Sequence, residues 1–94
     1  MQILGLPIIE AFKKDHAASR GPLDAWQAAV EREQWKTTHD IKHRYRSADF
    51  LADNKVIFNI KGNSYRLVVQ VRYQNGIVVV LWVGTHADYD KKSF

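Results

Sequence analysis

Apolar residues recur along this chain at two periods, helical in the first third and alternating in the second half. After Pro7, the residues Ile8, Ile9 and Phe12 fall at helical spacing, with Glu10, Lys13, Lys14 and Asp15 on the other faces. Gly21-Pro22 interrupts this run, and Leu23, Trp26 and Val30 then form a second stripe flanked by Ala25 and Ala29. The pattern predicts two short helices joined by a tight turn, an αα-hairpin. Met1–Leu6 reads either as a short strand or as an apolar lead-in. Between Lys36 and Asn54, Thr37-x-x-Asp40 weakly resembles a capping box, so this stretch is either a short helix or an irregular connection.

Three β-branched and aromatic runs follow: Val56–Ile60, Tyr65–Tyr73 and Ile77–Val83. Gly62-Asn63 and Asn75-Gly76 separate them and read as two-residue hairpin turns. The first turn sets Asn59 opposite Arg66 and Phe58 opposite Leu67. The second sets Val71 opposite Val80, Val69 opposite Trp82 and Arg66 opposite Thr85. One face then collects Val56, Phe58, Ile60, Tyr65, Leu67, Val69, Val71, Tyr73, Val78, Val80 and Trp82, with no charge among them. The other face carries Lys55, Asn59, Lys61, Arg66, Gln70, Arg72 and Thr85 alongside Ile57, Val68, Val79, Leu81 and Val83. The expected fold class is α+β: two N-terminal helices cover one face of an antiparallel sheet ending in a three-stranded meander. A polar row, Asn59–Arg66–Thr85, crosses the uncovered face, and His86 lies one step beyond it.

Composition narrows the function classes. The chain has 94 residues, 46% of them hydrophobic and 26% charged, which fits one domain over residues 1–94 with a core of its own. Having no Cys, it has no disulfide framework, thiolate zinc site or cysteine nucleophile. No apolar run is long enough to span a bilayer, and no signal-peptide pattern is read at the N-terminus, so a cytoplasmic location without membrane is expected. The net charge of +4 divides evenly between the halves. Between Asn54 and Ala87, however, there are four basic residues, Lys55, Lys61, Arg66 and Arg72, and no acid. The charge is therefore concentrated on one face of the sheet, although a modest net charge alone favours solubility as readily as polyanion binding.

The stretch Val56-Ile-Phe-Asn-Ile-Lys-Gly-Asn-Ser-Tyr-Arg-Leu-Val-Val-Gln-Val, the corner Val83-Gly-Thr-His86 and the ending Thr85-His-Ala-Asp-Tyr-Asp90 closely resemble HigB toxins of type II toxin–antitoxin systems. The similarity extends upstream through Leu23-Asp-Ala-Trp26 and Asp40-Ile-Lys42, and its strand and corner are shared more loosely with the RelE-like superfamily. The resemblance implies a RelE-like fold and ribosome-dependent endonuclease activity on messenger RNA (an mRNA interferase). It implies as partners the ribosome, its messenger RNA and a HigA-like helix-turn-helix antitoxin, through which alone operator DNA is met. Cleavage by such folds needs no metal or other cofactor, because the 2′-hydroxyl of the substrate attacks the neighbouring phosphate. Two rivals remain: a ParE-like toxin of the same fold that poisons gyrase without cutting RNA, and a degenerate antitoxin-binding partner.

The chemistry calls for a cation at the phosphate and a group that exchanges a proton. Arg66 suits the first role, since a guanidinium fork meets phosphate oxygens bidentately, and it matches the superfamily's site arginine. His86 suits the second; the superfamily often has a basic residue at this corner, so the position matches and the chemistry changes. Tyr89 stacks on a base, lends its hydroxyl or anchors the C-terminus. Asn59, Lys61, Arg72 and Lys91 are candidate RNA contacts, as are Arg44 and Arg46 in the cluster Lys42–Arg46; for the lysines and this cluster, an ordinary solvated surface is the competing reading. RelE concentrates lysines on the strand before Tyr-Arg-Leu-Val, whereas that strand here offers Asn59 and Lys61. His39 and His43 share a helical face, but no third ligand is evident and no metal site is expected.

Overall fold

A computed structural model describes all 94 residues. The elements run β1 (Gln2–Leu4), α1 (Leu6–Asp15), a 3-10 turn (Ala17–Ser19), α2 (Arg20–Glu31), α3 (Thr38–Arg44), β2 (Asp49–Leu51), β3 (Lys55–Ile60), β4 (Tyr65–Arg72), β5 (Ile77–Thr85) and α4 (His86–Tyr89). The class is α+β, with four α-helices on a five-stranded sheet of order β1-β5-β4-β3-β2. The sheet is mixed rather than antiparallel, because β1 pairs parallel to β5 with Ile3 beside Val78. Gly5 makes the sharp exit from β1 into α1 at φ 87, and a Cβ there would stand 2.8 Å from the Val80 carbonyl oxygen.

The Gly21-Pro22 pair does not break the helical run. It lies within the first turn of α2, where N–H groups have no intrahelical partner and proline loses nothing. The expected stripe is buried: Leu23, Trp26 and Val30 lie at 0%, 3% and 0% exposure. Between Lys36 and Asn54 the chain forms both a helix and a short strand. At the start of α3, Asp40 Oδ2 accepts the N–H groups of Lys36 at 2.8 Å and Thr37 at 3.2 Å. These two donors, Lys36 first, hold the Asp40 carboxyl below the usual carboxylate range. The cap therefore contributes stability above the ordinary carboxylate range and loses it as pH falls through the lowered value.

The core fills the space between the helices and one sheet face. Its centre is Phe58, 1% exposed, with ring centroids 5.5 Å from Trp26, 6.1 Å from Trp35 and 5.0 Å from Tyr45. Phe58→Ala should cost about 3–5 kcal/mol of stability, a large part of what a small domain has. Denaturant melts of the two proteins check this.

The β3–β4 register is the expected one, with Asn59 opposite Arg66 and Phe58 opposite Leu67. The β4–β5 register is not. Arg72 pairs with Ile77, so the loop holds Tyr73–Gly76, with Gly76 left-handed at φ 67. Val71 faces Val78 and Val69 faces Val80, a two-residue shift that keeps every side chain on its face. A bulge at Leu81 then breaks the alternation: Val68 faces Trp82, Leu67 faces Val83, Arg66 faces Gly84 and Tyr65 faces Thr85. Trp82 thus joins the Arg66 face, Val83 joins the core at 8% exposure, and Thr85 leaves the polar row. The Arg66 face is also less open than expected. Ile57 and Val68 are 2% and 0% exposed, and α4 folds back against β4 and β5.

Candidate active site

Two backbone features build the site. The bulge brings Gly84, rather than Thr85, beside Arg66 and aims the chain into α4. Thr85 then caps α4 in an extended conformation, its Oγ1 accepting the Asp88 N–H at 3.1 Å. The N–H of His86 donates to the Ser64 carbonyl at 3.2 Å, tying the helix start to the β3–β4 turn. The imidazole is therefore carried to Arg66 by backbone on both sides.

Arg66 Nη2 donates to His86 Nε2 at 2.9 Å. A guanidinium offers only donors, so Nε2 must supply a lone pair. In that hydrogen bond Nε2 is the acceptor, which puts the ring proton on Nδ1. Nδ1 stands 3.5 Å from Asp90 Oδ2, one helical turn along, where a carboxylate favours this tautomer. On the other side, the Arg66 Cζ lies 4.5 Å from the centroid of the Tyr89 ring, in cation–π contact. The His86 side chain is 40% exposed, so the site is a shallow surface rather than a closed cleft.

Asn59 completes the row. Its Nδ2 donates to the Ser47 carbonyl at 3.3 Å, while its Oδ1 and the neighbouring Arg66 Nε are buried with no hydrogen-bond partner. The arrangement places a fixed cation, a basic ring nitrogen, an aromatic ring and an amide together. That set can stabilise an anion and accept one proton at a defined atom.

Four of the expected residues, Asn59, Arg66, His86 and Tyr89, are thus brought together. Lys61 sits in the turn that supplies Ser64, at the same end of the sheet, and is exposed. Lys91 follows α4, exposed, its N–H donating to Asp88. Arg72 shares the face of Arg66 but stands roughly 20 Å along β4 at about 3.3 Å per residue. Arg44 lies over the Tyr45 ring at 5.6 Å, away from this group. Arg46 lines a groove on α3 with His39, Lys42 and His43, so the two histidines there meet cations rather than further ligands.

Asp90, Gly84 and Trp82 were missed as parts of the site. The spacing of His86 and Asp90 was a usable signal, since i and i+4 meet on a helix. The bulge that delivers Trp82 and Gly84 had none.

No curated protein matches the chain. Residues 19–92 match the HigB_toxin family model, described as the RelE-like toxic component of a toxin–antitoxin system. The matched span contains every residue of the site and all the strands that support it except β1. The chain belongs to the HigB toxin family.

Proposed function

We propose that this protein is a ribosome-dependent messenger-RNA endonuclease that cleaves through the 2′-hydroxyl of its substrate. The observation that carries the reading is the Arg66–His86 hydrogen bond at 2.9 Å, which sets a permanent cation against a basic imidazole nitrogen. Family membership adds to it, and so does the exposure of His86: a shallow site acts on substrate held by a second surface, a role the ribosome fills.

In the proposed reaction Arg66 turns its guanidinium donors to the non-bridging phosphate oxygens, which frees His86 Nε2. That nitrogen takes the proton of the 2′-hydroxyl as the 2′-oxygen bonds to phosphorus. The bond from phosphorus to the 5′-oxygen then breaks, and the imidazolium returns its proton to that oxygen. The products are a 2′,3′-cyclic phosphate and a 5′-hydroxyl, with His86 neutral again. Asp90 orients the ring, Tyr89 orients the substrate, and Asn59 and Lys61 contact the adjoining phosphate. Lys91, next to Asp90, and Arg46, next to the Ser47 that holds Asn59, are candidate contacts for flanking phosphates, while Arg72 and Arg44 meet RNA farther from the cut. A HigA-like helix-turn-helix protein is the proposed antitoxin, and the cytoplasm the proposed location.

Controlled expression tests the reading. The expected result is growth arrest with new transcript ends mapping inside translated frames and gyrase supercoiling unaffected. Inhibited supercoiling with intact transcripts would instead make this a gyrase poison, and normal growth a degenerate partner.

A further inference from the structure

The bulge at Leu81 leaves a second aromatic side chain beside the site. Trp82 lies flat across Gly84: a Cβ built on that glycine would fall 2.3 Å from Trp82 Cζ2 and 2.5 Å from Cη2. Gly84 is itself the residue opposite Arg66, so the indole rests on the strand next to the guanidinium. Its ring centroid is 6.1 Å from that of Tyr89, whose face covers Arg66. Phe94 closes the group, 5.8 Å from Trp82 and 5.9 Å from Tyr89, with its plane within 16° of the tyrosine ring. Phe94 is nonetheless 37% exposed, and its one polar tie is Lys55 Nζ donating to its carbonyl oxygen at 3.3 Å.

We propose that Trp82 and Tyr89 form a nucleobase-stacking subsite beside Arg66, and that Phe94 occupies it until RNA arrives. The inference rests on the nuclease reading above. A nucleotide carries its phosphate and its planar base close together, and here a guanidinium lies 4.5 Å from one of two neighbouring aromatic rings. Stacking on an aromatic face is indifferent to base identity, so the subsite takes nucleobases as a class. Phe94 is a planar apolar ring lying nearly parallel to Tyr89, the pose a stacked base would adopt. Its exposure and single polar contact make it displaceable.

The test uses ribosomes programmed with messenger RNA bearing an abasic nucleotide at either position flanking the cut. With the wild-type protein, one abasic position should slow cleavage about five- to a hundredfold. Trp82→Ala should lose a similar factor on natural RNA and nothing more on the abasic RNA, while Trp82→Phe restores most of the rate. Gly84→Ala, which displaces the indole without removing it, should resemble Trp82→Ala. Phe94→Ala should lower KM.

Multiplying losses for Trp82→Ala and the abasic substrate would overturn the subsite, as would full activity of Trp82→Ala. Unchanged or raised KM in Phe94→Ala would overturn its role as occupant. Absence of cleavage by the wild-type protein would instead remove the nuclease reading itself.

Discussion

Replacing Arg66 with alanine is expected to lower the cleavage rate by at least about a hundredfold, and up to about a thousandfold, while leaving the protein folded. Removing one preorganised donor to a developing oxyanion costs about that much in well-studied sites, and Arg66 is the cation fixed at the centre of this one. Folding is expected to survive because the side chain holds no ion pair. Its contacts are His86 and the Tyr89 ring, both at the partly exposed surface of the sheet. Arg66→Lys should recover little, since an ammonium is a point charge without the planar fork that meets two phosphate oxygens. Single-turnover cleavage on programmed ribosomes, with a thermal melt of each variant, reads both parts. A variant that melts normally and cuts normally would remove Arg66 from the chemistry.

Loss of His86 should be comparably severe, about a hundred- to ten-thousandfold for a group that moves the proton in the transition state. His86→Ala alone does not separate proton transfer from support of Arg66. His86→Gln does, because its amide oxygen still accepts from the guanidinium but exchanges no proton. The expected result is that glutamine is nearly as inactive as alanine. If glutamine restored the rate, His86 would be a positioning residue and the proton would go elsewhere.

The sequence made the site legible where local chemistry decides geometry and hid it where distant pairing does. The β3–β4 hairpin was readable because its turn residues adjoin the strands and alternating polarity confirms the register; Asn59 beside Arg66 followed at once. The second hairpin was misread by two residues, yet its faces survived because a strand repeats every two residues. The bulge left no trace in polarity. Trp82 and Val83 are both apolar, so exchanging their faces changes nothing that a hydrophobic pattern can register. Its consequences fall inside the candidate site, where Gly84 replaces Thr85 opposite Arg66 and an indole appears on the Arg66 face.

Two edge strands were obscure for a different reason. β1 and β2 are three residues each, too short to show a period, and β1 finds its parallel partner across almost the whole chain. The helical stripes, by contrast, were plain from Leu23, Trp26 and Val30, because burial of one face is what makes a short helix stable.

Cleavage through the substrate's own 2′-hydroxyl, with Arg66 and His86 as the working pair, is tested most directly by the chemistry of the product ends. Purified protein would be incubated with ribosomes programmed with a defined messenger RNA, and with the same RNA carrying a single 2′-deoxynucleotide at the cut. The expected result is a 2′,3′-cyclic phosphate and a 5′-hydroxyl from the natural RNA and an intact strand from the deoxy-substituted one. Cleavage of the deoxy-substituted RNA at the same position, or products ending in a 5′-phosphate, would contradict it.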